Sequence, residues 1–205
     1  GNITIKRKPL YCSSRHGVLM YTQNVTFPII TSRFHAHDNL KQPLLETLDR
    51  AVGEHLQGHT DDISKCDWET GRFDYEREWV KLFQPDLFEH LHKWLAEIKY
   101  DTFNIGEVWF QQYANGGRHA WHTHSANFTN VYYLDLPEDS PKTEWIDPVT
   151  QEHKEFNVQE GDIITFPSWI KHRSTTNLSK GTKTIISWNM DIAISDRYGE
   201  DNGYN

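Results

Sequence analysis

Three histidines in the second half of the sequence, His122, His124 and His172, are spaced as ligands of one metal ion. His122 and His124 are two residues apart, so on a strand they project from the same face, whereas His119 would project from the opposite face. Two neutral imidazoles on one face can reach the same ion. In a small antiparallel barrel, His172 on a later strand can return beside this pair. Three protein ligands would leave open positions on the metal, as in a catalytic centre.

A lysine follows this last histidine at the start of another β-rich segment. Lys183 shares one strand face with Ile185, Ser187 and Asn189. No acid on that face neutralises its ammonium group, so a buried Lys183 would need an anionic partner, which a bound carboxylate could supply. The alternative is that Lys183 lies exposed at the end of its strand.

The β-rich segments that position these residues predict an antiparallel sandwich or barrel, because they are short and turn residues separate them. There are five of them after about residue 105: Glu107–Tyr113, Phe128–Leu136, Thr143–Ile146, Asp162–Phe166 and Thr182–Ile192. Val18–Ile30 also has strand character, and we expect that it adds an edge to the sheet.

Two helices are predicted before the β-rich region. Apolar residues recur at helical spacing over Asp38–Leu56 and again over Pro85–Ile98. Pro85 suits the first position of a helix, where its missing N–H costs nothing. The prediction is one domain over residues 1–205: mainly helical support over 1–105, a metal-binding β core over 106–192 and a polar tail over 193–205.

The composition excludes several classes of partner. The net charge of −8, from 21 basic and 29 acidic residues, repels phosphate backbones and anionic membranes. No apolar run approaches the roughly 20 residues that a membrane span needs. We therefore predict no nucleic-acid and no membrane partner. Cys12 and Cys66 are isolated, which favours a reduced cytoplasmic protein, although one disulfide is the alternative.

The order of these residues resembles that of the Fe(II)- and 2-oxoglutarate-dependent oxygenases, and most closely their prolyl-hydroxylase-like branch. The resemblance covers about residues 106–192 and rests on Tyr113, Gly116, His122, His124, Tyr132–Leu134, Gly161, Asp162, Phe166, Pro167, His172, Lys183, Ser187 and Asn189. It implies an α+β chain with a double-stranded β-helix (jelly-roll) core that N-terminal helices buttress. It also implies Fe(II) and 2-oxoglutarate as cofactors, and hydroxylation of an amino-acid or peptidyl, prolyl-like substrate with release of succinate and CO2.

The resemblance assigns roles by position. His122 and His172 match the histidine ligands of the family, and Lys183 matches the basic residue that holds the far carboxylate of 2-oxoglutarate. Tyr113 and Tyr133 match tyrosines that often donate hydrogen bonds to the co-substrate. Ser187 matches a hydroxyl that often accompanies the basic residue.

The substrate of such an enzyme would be a small molecule, a peptide or a protein. Trp169 is a candidate for the wall of the substrate cleft, together with Trp109 and Trp121. Arg173 is a candidate to meet an acidic group of the substrate.

One position departs from the family pattern, because His124 stands where the family has Asp or Glu. Three interpretations remain open. His124 binds the metal and gives a three-histidine site, or it turns away and water takes its place, or an acid such as Asp147 comes from elsewhere. The spacing of two residues favours the first.

The same residues also resemble the cupins, which are built on a related barrel. Gly116, followed by five residues and His122, fits the first cupin motif, but its glutamate is missing, with Phe128 and Thr129 in that region. The alternatives are therefore a three-histidine cupin-type dioxygenase that does not use 2-oxoglutarate, or a barrel that binds a metal or a small anion without turnover.

Overall fold

The computed structural model describes residues 27–193 in full and the backbone of two short segments before them. Those segments are strands β1 (Pro9–Leu10) and β2 (Met20–Tyr21), which pair antiparallel. Most of the predicted strand Val18–Ile30, the side chain of Cys12 and residues 194–205 of the polar tail lie outside the described residues.

The described chain contains three helices and eleven further strands. The helices are α1 (His37–Arg50), α2 (Trp68–Gly71) and α3 (Glu78–Ile98). The strands are β3 (Ile30–Arg33), β4 (Glu54–Gln57), β5 (Asp62–Cys66), β6 (Thr102–Tyr113), β7 (His119–His122), β8 (Phe128–Asp135), β9 (Thr143–Ile146), β10 (His153–Glu155), β11 (Asp162–Pro167), β12 (His172–Ser174) and β13 (Lys183–Ala193).

These strands form two antiparallel sheets. The major sheet has seven strands in the order β3-β11-β8-β13-β6-β5-β4, and the minor sheet has four in the order β10-β9-β12-β7. Between the sheets lies an apolar core that includes Trp109, Val131, Phe156 and Phe166. The predicted antiparallel jelly-roll architecture is therefore confirmed.

The central strands of the major sheet are covered on both faces, so most residues of β8, β11 and β13 are buried. On β6, Val108 and Phe110 pack on the outer side against the helices, whereas Trp109 points to the minor sheet. On β13, Ile186 and Trp188 likewise face the helices. Helices α1 and α3 cover this outer face, because one side of each is apolar at helical spacing.

Asp67, just before α2, connects this part of the chain to strand β6 and helix α3 through hydrogen bonds and an ion pair. Its buried carboxylate accepts the backbone N–H of Phe110 at 2.9 Å and the indole N–H of Trp79 at 3.1 Å, and it forms an ion pair with Arg77. A buried carboxylate must be compensated in this way, because burial alone raises its pKa.

Both predicted helices have other boundaries in the structure. Helix α1 ends at Arg50 rather than near Leu56, because Ala51 is extended and the chain turns into strand β4. Helix α3 starts at Glu78 and contains Pro85 seven residues inside it. The missing N–H of Pro85 costs one helical hydrogen bond, but burial of Trp79 and Phe83 offsets this cost.

The first half of the chain also supplies strands that the sequence pattern did not predict. Strands β4 and β5 extend one edge of the major sheet through β6, and β3 forms the other edge beside β11. Only Ile30 of the predicted strand Val18–Ile30 lies in β3. Residues 1–105 are thus not only helical support. No helix in the described part of the chain is long and apolar enough to cross a membrane.

Candidate metal centre

The three predicted ligands, His122, His124 and His172, meet between the two sheets. His122 on β7 and His172 on β12 are direct partners across an antiparallel strand pair. His124 follows two residues after the end of β7. One ligand nitrogen of each of these three histidines lies within 4.8 Å of the others, and their ring centroids are 4.3 to 5.2 Å apart. The convergence that the sequence suggested is present.

Backbone carbonyls orient two of the three rings. His122 donates its Nδ1–H to the carbonyl of Ala120 at 2.7 Å, and His172 donates its Nδ1–H to the carbonyl of Ile170 at 2.9 Å. A carbonyl only accepts, so the proton is on Nδ1 and the lone pair of Nε2 is free for a metal. Burial lowers the pKa of both imidazoles, which keeps them in the neutral form that metals bind.

His124 completes the group from a turn. Its backbone N–H donates to the carbonyl of Ser168 at 2.9 Å, and its ring stacks on Trp109 with centroids 5.6 Å apart. Burial lowers the pKa of His124 to about 4. The alternative acid, Asp147, is outside this group. Its carboxylate pairs with Lys154 at 2.5 Å, and this contact is the main reason that its pKa falls to about 2.

The prediction that His119 projects away from the pair is wrong. Its ring stacks on His122 with centroids 3.9 Å apart. The pairing of β7 with β12 is irregular between His172 and Ser174, so the strict alternation of a flat strand is lost there. Gln111 lies 3.4 Å from Nδ1 of His119, and Asp61 lies 4.0 Å from its Nε2.

Two cavities meet at the histidines. The outer cavity, of about 320 Å³, is lined by His119, His122 and His124 and by residues of β5, α2 and β6, among them Trp68 and Trp109; Asp61, just before β5, also lines it. The inner cavity continues between the sheets past Gln111 to Tyr113. It measures about 20 Å³, which is room for about one water molecule, so a larger ligand must displace side chains there.

Lys183 lies behind the inner cavity and is fully buried, with 0 % of its surface exposed. Its ammonium group donates to Ser174 Oγ at 3.0 Å and lies 5.3 Å above the ring of Tyr113. No carboxylate in the described part of the chain lies within 4 Å of it. Burial lowers the pKa of Lys183 to about 7, and distant Glu155 only partly opposes this. The interpretation of Lys183 as an exposed strand-end residue is therefore wrong.

The other predicted co-substrate contacts differ in their surroundings. Tyr113 and Ser187 line the inner cavity, and neither side chain has a hydrogen bond to another described residue. Tyr133 instead donates its hydroxyl to Thr143 Oγ1 at 2.7 Å and packs its ring 5.9 Å from the ammonium of Lys183. Tyr133 thus links the two sheets, and Tyr113 is better placed for a ligand.

Of the two predicted substrate contacts, Trp169 and Arg173, only Arg173 lines one of these cavities. Trp169 is 53 % exposed and packs edge-on against Phe27, and it lines neither cavity. Arg173 reaches the inner cavity, but its guanidinium already bonds to Glu144 at 2.6 Å and lies 4.4 Å above the ring of Trp121.

Sequence reasoning missed several residues of the site. Gln111 shares a strand face with Trp109 and Tyr113, so the alternation along β6 could have identified it. Asp61 and Trp68 gave no such signal. They reach the site only because β5 pairs with β6 and because α2 follows directly after β5.

The known proteins that resemble this chain are solved structures with a similar fold. Neither a protein-family model nor a curated protein sequence matches the chain. A viral collagen prolyl hydroxylase from Paramecium bursaria Chlorella virus-1, solved with 2-oxoglutarate, matches with a TM-score of 0.53 and 16% identity over 81% of this chain and 96% of that one. An Fe(II)/2-oxoglutarate oxygenase-family protein from Burkholderia pseudomallei matches with a TM-score of 0.62 and 11% identity over 80% of this chain and 85% of that one.

A third neighbour was solved with a peptide. It is a Trichoplax adhaerens prolyl hydroxylase in complex with a fragment of the hypoxia-inducible factor, with a TM-score of 0.57 and 15% identity over 80% of this chain and 83% of that one. The fold is that of the 2-oxoglutarate oxygenases. At these identities the likeness concerns the fold alone, and the chemistry must be argued from the site.

The residues of the site fit Fe(II) and 2-oxoglutarate. Three neutral imidazoles form a donor set suited to Fe(II) that leaves coordination positions open. The buried ammonium of Lys183 has no anionic partner in the described chain, and one carboxylate of a diacid would supply it.

Proposed function

We propose that the protein is an Fe(II)- and 2-oxoglutarate-dependent oxygenase that hydroxylates an amino-acid or peptidyl substrate and releases succinate and CO2. The observation that carries this proposal is the pairing of two features in one cavity system. Three histidines that line the cavities can hold a metal, and the buried Lys183, which has no carboxylate within 4 Å in the described chain, donates to Ser174 in the wall of the inner cavity. The fold that the chain shares with known oxygenases supports it.

His122, His124 and His172 would hold the iron, and Lys183 would hold the far carboxylate of 2-oxoglutarate. When bound, iron and 2-oxoglutarate would react with O2 and supply an oxidant strong enough to hydroxylate a C–H bond. The free hydroxyls of Tyr113 and Ser187 would orient the co-substrate along the inner cavity. Because the surroundings are dry, each such charge-assisted or polar contact is stronger than it would be in water.

The protein keeps the metal-binding groups neutral and holds them in place. Burial and the carbonyls of Ala120 and Ile170 fix the rings of His122 and His172, so little reorganisation is needed when the metal binds. The ring of Trp109 stacks on His124 and closes one side of the centre against water. Exclusion of water protects a reactive oxidant from side reactions.

The outer cavity is the proposed substrate site. Its volume of about 320 Å³ lies at the small end of the range for ligand pockets, which suits one amino-acid side chain or a small molecule. The peptide bound to the Trichoplax adhaerens neighbour supports a peptidyl substrate. Trp169 and Arg173 remain candidates for contacts with the rest of such a substrate, outside this cavity.

We also propose that the chain acts as one domain in the cytoplasm. The helices pack on one face of the major sheet and the minor sheet packs on the other. Cys66 is buried and its thiol is protected by a pKa raised to about 12, which agrees with a reduced compartment.

The test is anaerobic binding of 2-oxoglutarate to the Fe(II)-loaded protein, followed by its visible charge-transfer band, together with succinate formation in air. We expect the band and succinate with the wild type, and neither with Lys183→Ala. The matched control is Lys180→Ala, because Lys180 is exposed on the preceding turn. Oxygen consumption that is independent of 2-oxoglutarate would favour a three-histidine cupin-type dioxygenase. Metal binding without any turnover would favour the non-catalytic barrel.

A further inference from the structure

The outer cavity has an acidic and aromatic lining that indicates the charge of its ligand. Asp61 and Glu69 are its carboxylates, Trp68 and Trp109 are its large rings, and no lysine or arginine of the described chain lines it. A cavity beside a metal centre is a ligand site rather than a solvated face, so the polarity of its lining restricts which ligands can enter.

The carboxylate of Asp61 has no cationic partner at the cavity. It accepts the backbone N–H of Ala120 at 2.7 Å, which fixes its position. The nearest ionisable group that faces it is His119, whose Nε2 is 4.0 Å away and too far for a hydrogen bond. Its other oxygen accepts only a long hydrogen bond from the Thr60 hydroxyl, at 3.4 Å, and about a third of the side chain is exposed, so a ligand can reach it.

Glu69 is only loosely compensated. Arg72 lies 3.8 Å from Glu69 but is closer to Glu107, at 3.3 Å, and its guanidinium stacks 4.7 Å above the ring of Trp68. One arginine therefore serves two carboxylates. Together with Asp61, this leaves the mouth of the cavity negative.

Gln111 gives an independent indication of the ligand. It is only 6 % exposed and lines both cavities. Its amide nitrogen lies 3.4 Å from Nδ1 of His119, whereas its carbonyl oxygen has no hydrogen-bond partner among the described residues. Because Gln111 lines both cavities, this unpaired acceptor is open to a ligand that donates an N–H group.

We propose that the substrate carries a protonated amine or a guanidinium group, which binds at Asp61 in the outer cavity with Gln111 as a second acceptor. The rings of Trp68 and Trp109 then cover the carbon chain and attract the cation. This inference rests on the proposed function, because it names the substrate class of the same centre. A basic side chain of a peptide, or a small free amine, has this chemistry.

The experiment compares matched probes by calorimetry on the full chain loaded with Mn(II). First, 2-oxoglutarate is titrated, which tests the proposed function by itself. Then N-acetyl-lysine methylamide and N-acetyl-arginine methylamide are titrated and compared with N-acetyl-norleucine methylamide, with and without 2-oxoglutarate. We expect at least one cationic probe to bind roughly tenfold more tightly than the neutral probe, and the preference to weaken as salt is added.

The variant Asp61→Asn keeps an oxygen that can accept the N–H of Ala120, so it should fold and still bind 2-oxoglutarate. It should lose the preference for a cation, whereas Asp61→Glu should retain part of it. The matched control, Asp49→Asn, removes the same charge from an exposed site on α1 outside the cavity and should change nothing.

The outcomes separate the two proposals. If 2-oxoglutarate binds but neither cationic probe binds better than the neutral one at millimolar concentration, the cation inference is overturned and the proposed function stands. An Asp61→Asn variant that keeps the full preference overturns it as well. If 2-oxoglutarate fails to bind while the preference depends on Asp61, the cation site is supported and the proposed function is overturned.

Discussion

Replacement of Lys183 by methionine should stabilise the ligand-free protein while it abolishes binding of 2-oxoglutarate. Lys183 is fully buried, and its ammonium has one hydrogen bond, to Ser174, but no counter-ion within 4 Å in the described chain. Its pKa falls from the ordinary 10.5 to about 7. Methionine has a similar length and carries no charge, so Lys183→Met removes the cost of burial and leaves the packing against Tyr113 largely intact.

The sign and size of the effect follow from proton linkage. Between pH 7 and 10.5 the unfolded chain binds a proton at Lys183 and the folded chain does not, so the wild-type free energy of unfolding rises with pH in this range. At about 1.4 kcal/mol for each pH unit, the penalty is about 4 kcal/mol near pH 7 and vanishes above pH 10. In the variant the buried hydroxyl of Ser174 loses its hydrogen bond to Lys183, which lowers stability. The value of about 4 kcal/mol is therefore an upper limit on the stability gained.

The assay is urea unfolding of wild type and Lys183→Met at pH 7, 8 and 9. The difference between the two proteins cancels the titration of all other groups. We expect the variant to be more stable at pH 7, with its advantage shrinking by roughly 2 kcal/mol by pH 9. Lys180→Met, at an exposed position, should show a small difference at every pH. An advantage that does not depend on pH would refute the argument that burial disfavours the charged form of Lys183 in the folded protein.

Further variants test the remaining parts of the site. His122→Ala should lower Mn(II) affinity by more than roughly 100-fold, measured by electron paramagnetic resonance, because it removes a ligand and not only a group that orients one. His124→Ala should also weaken Mn(II), and unchanged affinity would show that water fills its position. Tyr113→Phe should weaken 2-oxoglutarate about tenfold in calorimetry, whereas Tyr133→Phe should leave this affinity unchanged and lower stability by about 1 kcal/mol. Asp67→Asn should lower the free energy of unfolding by about 3–5 kcal/mol, and a loss below about 1 kcal/mol would contradict the role of its buried ion pair.

The histidines and Lys183 could be predicted because their signals are local. A spacing of two residues places His122 and His124 together, and a buried lysine on a strand face without an acid implies a missing partner. The positions of Asp61 and Trp68 could not be predicted, because they depend on β5 joining the sheet beside β6, a pairing between distant segments. The helix boundaries failed for a similar reason. Burial of Trp79 and Phe83 carries α3 across Pro85, and burial is a property of the whole fold.

The error at His119 shows how much one irregularity in a strand changes a site. Strict alternation would have left His119 on the far face, away from the metal ligands. The shift in pairing between β7 and β12 brings its ring onto His122 instead, next to Gln111 and Asp61. A shift of one position exchanges the two faces of a strand, so strict alternation brings His122 and His124 together but places His119 incorrectly.

The charge of the centre explains why a histidine could replace the acid at position 124. Three neutral imidazoles leave the full charge of a divalent ion uncompensated, and a protonated Lys183 adds to it. If His124 is a metal ligand as proposed, a 2-oxoglutarate dianion bound between the metal and Lys183 would supply the negative charge that a carboxylate at position 124 would otherwise provide. The metal and the diacid should then bind cooperatively, because each removes a charge penalty that the other would otherwise meet alone.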